Sequence, residues 1–157
     1  MHVEDRLKEL GIELPPAWDV PSDFRFVRAV TTGNLVFISG HGPRRPDGSH
    51  VTGRLGEDLD LDAGYEAARL TAIQCLASLK AEIGDLDRVV RIVKLLGFVN
   101  CTEKFGEPPR VMNGASDLLI DLFGERGRHA RSAVGMQALP NGIAVEVEMV
   151  VEIAPAS

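Results

Sequence analysis

Arg131 is the residue whose type and position point most directly to chemistry. It lies at the start of a predicted strand, residues 130–138, among small and apolar neighbours. Its planar guanidinium can bind a carboxylate through two parallel hydrogen bonds, and a charged hydrogen bond of this kind contributes roughly 1.5–3 kcal/mol. The alternative is structural, with Arg131 forming an ion pair with Glu146 or Glu148 of the same chain.

Glu146 and Glu148 form a second candidate group, because both project from one face of the predicted final strand, residues 143–153. Two residues along a strand separate their side chains by about 7 Å. One carboxylate can pair with Arg131 while the other accepts a proton or orients a water molecule. On the structural alternative, both carboxylates keep a sheet face or a subunit seam polar.

Four other residues are candidate ligand contacts: Phe26, His41, Asn113 and His129. Either histidine can act as a general base near neutral pH; the alternative is a loop histidine that hydrogen-bonds the backbone. Asn113 is either a polar residue near a helix start or a ligand contact. Phe26 is either part of the core or part of the site.

The elements that position these residues follow from hydrophobic periodicity and turn chemistry. The pattern predicts a short first helix, a hairpin, a long loop, a helix, a buried strand, a second long helix and a final hairpin. Their predicted ranges are 3–10, 24–29 with 35–38, 41–58, 60–83, 89–99, 106–123, and 130–138 with 143–153. This order is typical of an α+β domain with two helices on one face of a mixed sheet. The other sheet face suits packing against copies of the chain.

Size and composition narrow the class of protein. The chain has 157 residues and a net charge of -6. We expect one domain over residues 1–157, with an N-terminal extension at 1–23 and a core at 24–153. The acidic balance argues against binding nucleic acid, and no apolar run is long enough for a membrane helix. The charged N-terminus lacks a secretory pattern, and Cys75 and Cys101 suit a reducing compartment. We therefore expect a cytoplasmic protein.

Two segments of the chain resemble the RidA/YjgF family. Residues 130–134, Leu139-Pro140 and residues 145–148 resemble its C-terminal signature, and residues 33–40 resemble its N-terminal hairpin. The helix–strand–helix order between them also agrees, so the resemblance covers roughly residues 24 to 153.

The resemblance implies a chorismate-mutase-like fold and a homotrimer with sites in the clefts between subunits. Characterised members hydrolyse reactive enamine and imine intermediates. The resemblance further implies that Arg131 holds a substrate carboxylate, that Glu146 positions the attacking water, and that Gly40 and Ala133 offer backbone groups. An imine is already electrophilic, so orientation suffices and no metal or cofactor is needed.

Departures from the characterised branch keep a second hypothesis open. Phe26 stands where that branch has a tyrosine, His129 replaces a proline, and Ala133 replaces a cysteine. These differences indicate a separate subgroup. They favour the alternative of a non-catalytic trimer that binds small carboxylates or 2-oxo acids. A nucleolytic activity, a label often attached to the family, is disfavoured by the acidic balance and the absence of a basic groove.

Overall fold

The computed structural model describes residues 2–156 and has an α+β architecture. In this part of the chain the α-helices are α1 (Val3–Glu9), α2 (Leu61–Ile83) and α3 (Pro108–Phe123). The strands are β1 (Ala29–Thr32), β2 (Leu35–His41), β3 (Val89–Asn100), β4 (Ala130–Met136) and β5 (Val145–Ile153). No helix among residues 2–156 is both long enough and apolar enough to span a bilayer.

The two long helices begin and end where capping chemistry predicts. Asp60 caps α2 by accepting a hydrogen bond from the backbone N–H of Ala63 (2.8 Å), which satisfies one of the donors left free in the first turn. Gly84 follows the last turn with a φ of 84°, a conformation that suits glycine. Pro108 and Pro109 occupy the first turn of α3, where a missing N–H costs little.

The five strands form one mixed sheet in the order β1-β2-β5-β3-β4. The predicted hairpin between residues 130–138 and 143–153 is wrong. β4 pairs in parallel with β3 instead, and β5 lies between β2 and β3, antiparallel to both. The physical reason is the crossover: α3 returns the chain to the end of the sheet where β3 began, so the next strand must run parallel to β3.

Helices α2 and α3 pack on one face of this sheet, as the periodicity predicts. Two glycines permit the close contacts. A Cβ at Gly114 would lie 1.9 Å from the carbonyl oxygen of Tyr65, and a Cβ at Gly97 would lie 2.3 Å from Cγ of Met112. The opposite face carries partly exposed apolar side chains, such as Phe37 and Val134.

The first hairpin is confirmed, with β1 and β2 joined by Gly33 and Asn34. Its first strand begins at Ala29 rather than at Phe24, because residues 22–24 form a 3-10 turn and Arg25 adopts a left-handed conformation (φ 66°). Helix α1 packs against α3 and buries Val3 and Leu7. The chain then runs back from α1 to the start of β1.

The long loop at 41–58 is ordered by contacts within its own chain. Isolated bridges join Arg44 to His50, Thr52 to Ile143, and Leu55 to Cys101. Leu55 is fully buried. The loop also borders the cleft described next.

Candidate functional site

The sheet places Arg131 and Glu146 on opposite faces of one chain. Arg131 pairs with Leu95, and Leu95 pairs with Met149, whose side chain is buried under the helices. Glu146 pairs with Phe98, which is three residues beyond Leu95 on the same regular stretch of β3. Because side chains alternate along a strand, Arg131 lies on the helix face and Glu146 on the open face.

On the helix face, Arg131 is held by α3. Its Nη1 donates to Oδ1 of Asn113 (2.9 Å) and to Oγ of Ser116 (3.0 Å), and its Nη2 donates to the carbonyl of Pro109 (3.2 Å). Among residues 2–156 no carboxylate lies within salt-bridge distance of it. The expected ion pair with Glu146 or Glu148 is therefore absent within the described chain, because those carboxylates project from the other face.

His129 completes the support of Arg131. Its Nδ1 lies 2.6 Å from the carbonyl of Gly127, and its Nε2 lies 2.9 Å from Oγ of Ser116. A carbonyl can only accept, so Nδ1 carries the proton and the neutral ring accepts the Ser116 hydroxyl hydrogen at Nε2. Burial lowers the pKa of His129, and the charge of Arg131 lowers it further. Ser116 is thereby oriented to accept from Arg131.

On the open face, Glu146 lies in a cleft with a volume of about 970 Å³. Its walls include the loop residues Gly42, Arg44 and His50, the turn residue Asn141, and Glu148. Glu146 is half-buried. Burial raises the pKa of its carboxyl, and the neighbouring Glu148 raises it further. Such a group accepts a proton more readily than an ordinary surface glutamate.

Gly40 lies directly against Glu146. A Cβ at this position would be 2.9 Å from both Cδ and Oε2 of Glu146, so any other residue would displace the carboxylate. Gly40 sits where the pairing of β2 with β5 is irregular, between Ile38 and His41. Bulges of this kind are frequent next to functional sites because they redirect the chain.

His41 also lines the cleft, but both of its ring nitrogens are engaged. Nδ1 lies 2.6 Å from the carbonyl of Ser39, and Nε2 lies 2.7 Å from Oγ of Ser78 on α2. Only 3% of the residue is exposed. Burial lowers its pKa, so the ring is neutral near pH 7. This geometry supports the backbone-bonded reading of His41 rather than that of a free general base.

A cluster of aromatic rings forms another wall of the cleft. The Trp18 ring centroid lies 5.6 Å from that of Phe26, 6.5 Å from that of Phe24 and 5.5 Å from that of His41. The sequence reasoning placed Phe26 near the site but missed Trp18. Its signal was that it is the single tryptophan of the chain.

The predicted site residues thus fall into two groups. Phe26, Gly40, His41 and Glu146 share the cleft. Asn113 and His129 join Arg131 at the sheet edge. Ala133 lies on β4 opposite Gly97, on the same face as Arg131 and partly buried against the core. The sequence reasoning also missed Ser116, which follows Asn113 by three residues and so shares its face of α3.

Comparison with known proteins agrees with this architecture. Residues 4–153 match the family described as "YjgF/chorismate mutase-like, putative endoribonuclease". The chain belongs to the RidA/YjgF family. The matched range begins within α1 and ends at the last residue of β5.

Three relatives are similar over nearly their whole length. Protein TCP17 of Trypanosoma cruzi is 45% identical over 96% of this chain and 94% of its own. The crystal structure of Atu1372 from Agrobacterium tumefaciens, described as having unknown function, is 44% identical with a TM-score of 0.89, covering 97% of this chain and 92% of that one. A Shewanella oneidensis structure with the endoribonuclease description is 32% identical with a TM-score of 0.92, covering 98% and 100%.

Proposed function

We propose that this protein is a cofactor-free hydrolase of enamines and imines that bear a carboxylate. In this proposal it acts as a homotrimer in which Arg131 of one subunit and Glu146 of the next share each site. The observation that carries the proposal is that Arg131 and Glu146 lie too far apart within one chain to share a site. Each is held ready for a ligand by its own surroundings, yet the two project from opposite faces of one sheet.

The open face of the sheet supports association of this kind. It presents side chains that are about half exposed in the single chain, Val30 at 51%, Phe37 at 45% and Val134 at 41%. Val30 and Phe37 are paired neighbours on β1 and β2, and exposed apolar patches often mark interaction sites. A closed ring of three identical subunits would cover it with copies of itself.

The chemistry required of the shared site is modest. Arg131 binds the substrate carboxylate, which fixes the imine carbon next to Glu146. Glu146 takes a proton from water as the oxygen adds to the C=N carbon, and the nitrogen is protonated to give a carbinolamine. Collapse of this intermediate releases ammonia and leaves a 2-oxo acid. The raised pKa of Glu146 suits it to accept and return this proton.

The direct test uses two inactive variants together. An amino-acid oxidase generates the imine in the assay, and semicarbazide competes with the protein for it, so less semicarbazone forms when hydrolysis is fast. Arg131→Ala and Glu146→Gln are each expected to abolish this hydrolysis. When the two are unfolded, mixed equally and refolded, about one quarter of the sites combine an intact Arg131 with an intact Glu146 from the next subunit. Activity should recover to about that fraction.

Two outcomes would contradict the proposal. If the refolded mixture recovers no activity while wild-type protein refolded in parallel does, a site shared between subunits is excluded. Light scattering of the wild type would overturn the trimer if the mass were that of one chain.

The second candidate function is binding without turnover. Phe26 has no hydroxyl and both ring nitrogens of His41 are engaged, so the cleft offers few groups for acid–base work. On the Arg131 side, Ala133 has no thiol. A ligand at 100 times its dissociation constant stabilises a protein by about 2.7 kcal/mol. Thermal stabilisation by 2-oxo acids with no acceleration of imine hydrolysis would favour this function.

A further inference from the structure

Trp18 is fixed in the cleft by the segment that leads from α1 to β1. Nη1 of Arg28 donates to the carbonyl of Trp18 (3.0 Å), and the carbonyl of Arg28 accepts from the N–H of Ser39 on β2 (2.9 Å). The indole also meets the edge of His41, which is itself bound to Ser78. Trp18 is therefore positioned by Arg28 next to the sheet and, through His41, by Ser78 on α2.

The backbone around Phe24 and Phe26 is shaped to bring their rings together. Arg25 between them adopts a left-handed conformation (φ 66°), which is unfavourable for a residue other than glycine and concentrates at functional positions. The Phe24 and Phe26 rings stack with their centroids 6.1 Å apart. Both remain about half exposed, at 53% and 45%. This leaves an aromatic surface open beside the cleft.

We propose that Trp18, Phe24 and Phe26 form a side-chain subsite that makes this protein prefer 2-imino acids, and the matching 2-oxo acids, with aromatic or large branched side chains. The inference rests on the proposed function, because it requires the reacting carbon to be held near Glu146. The three rings line the same cleft as Glu146 and Gly40, so one ligand can contact the rings and Glu146 together.

The size and polarity of the cleft support a large side chain. Its volume of about 970 Å³ is at the upper end for small-molecule sites. The methyl group of an alanine-derived imine would leave most of the aromatic surface in water. A phenyl or isobutyl group would cover it and gain hydrophobic contact, while the carboxylate remains free to reach an arginine.

The test compares rates for imines derived from phenylalanine, leucine and alanine. We expect the wild type to favour the larger imines by about tenfold or more in kcat/KM, as is usual when an apolar pocket recognises a side chain. Trp18→Ala should lower this preference about tenfold, and Trp18→Phe should restore most of it. Val27→Ala, which removes an exposed apolar side chain from the same segment outside the cleft, should keep the wild-type preference.

Two results would overturn the subsite. One is an unchanged preference in Trp18→Ala and in Phe24→Ala, the second variant serving if the first does not fold. The other is dissociation of the trimer by these variants without a change in preference, which would assign the rings to a subunit seam.

Binding measurements separate this inference from the proposed function. Calorimetry with phenylpyruvate and pyruvate needs no turnover. Tighter binding of phenylpyruvate that is lost in Trp18→Ala, with no hydrolysis of any imine, keeps the subsite and rejects the hydrolase. Hydrolysis of all imines with equal kcat/KM rejects the subsite and keeps the hydrolase.

Discussion

The sheet edge around Arg131 and the cleft around Glu146 are built in contrasting ways. Arg131 is cationic, and α3 holds it through the three hydrogen bonds that it donates to Asn113, Ser116 and Pro109. Glu146 is a carboxyl group whose charge is opposed by burial and by Glu148. In the proposed function the first region binds the substrate carboxylate, and the second accepts a proton from water.

The largest effect is expected at Glu146. Replacing it by glutamine removes the proton acceptor but keeps the shape, so kcat should fall by about 10²–10⁴-fold. Binding of a 2-oxo acid should change far less, because in the proposed function Arg131 holds the carboxylate. Steady-state rates and calorimetry measure the two quantities. A variant with near-normal kcat would remove Glu146 from the mechanism.

The same substitution predicts a change in stability with a defined sign. The folded state raises the pKa of Glu146. At any pH above the unfolded pKa of about 4.3, ionisation of Glu146 therefore lowers the free energy of unfolding. This cost is present at high pH and disappears as the pH falls below the unfolded pKa. Thermal unfolding at pH 8 should therefore show Glu146→Gln at least as stable as the wild type, with the difference closing near pH 4.

The next effect is expected at Gly40. Alanine there would push the Glu146 carboxylate aside, since its Cβ would lie 2.9 Å from Cδ. A displacement near 1 Å costs about 10²-fold in rate. Gly106→Ala is the matched control, because a Cβ at Gly106 meets no atom within 4 Å. Equal rates for the two variants would show that the position of Glu146 is not critical.

A smaller effect is expected on the Arg131 side. His129→Ala leaves Ser116 without its acceptor, and 2-oxo acid binding should weaken roughly five- to tenfold, the equivalent of about one hydrogen bond. Ser116→Ala should have a similar effect, and the double variant should add little because both act through one chain of bonds. Calorimetric dissociation constants for the four proteins test this. Additive losses would show that His129 and Ser116 act independently.

The smallest effect concerns the neighbour of Glu146. Glu148 raises the pKa of Glu146 by repulsion, after burial. Glu148→Gln should therefore move the acidic limb of the pH–rate profile to lower pH. Glu152→Gln on the same strand is the control, because Glu152 lies far along β5 and is hydrogen-bonded to Asn34. A shift in the opposite direction would contradict the repulsion.

Local patterns predicted the helices and the strict alternation of β5, because periodicity and caps are encoded within each element. They could not predict how β4 and β5 pair with the other strands. The turn at Pro140–Gly142 looked like the link of a hairpin, whereas the position of β4 depends on how α3 crosses the sheet. That error placed Arg131 beside Glu146.

The hydrogen bonds that support Arg131 and the aromatic wall of the cleft could not be predicted from the sequence either. The contact of Asn113 and Ser116 with Arg131 exists only because α3 packs over β4. Trp18 precedes β1 by eleven residues, and its backbone carbonyl accepts a hydrogen bond from Arg28 beside the cleft. Sequence reasoning names candidate residues of this kind but does not show which of them meet.

The central position of β5 has a consequence for how the chain is made. β5 is the last strand in chain order, yet both β2 and β3 hydrogen-bond to it. While the ribosome is still adding residues before 145, β2 and β3 lack their shared neighbour, and the backbone N–H and C=O groups of their facing edges stay unpaired. The sheet can close only after residue 153 has left the exit tunnel. Late pairing of distant segments folds slowly and exposes the chain to aggregation. Chaperones that shield nascent chains should therefore matter most for this protein until β5 has emerged from the ribosome.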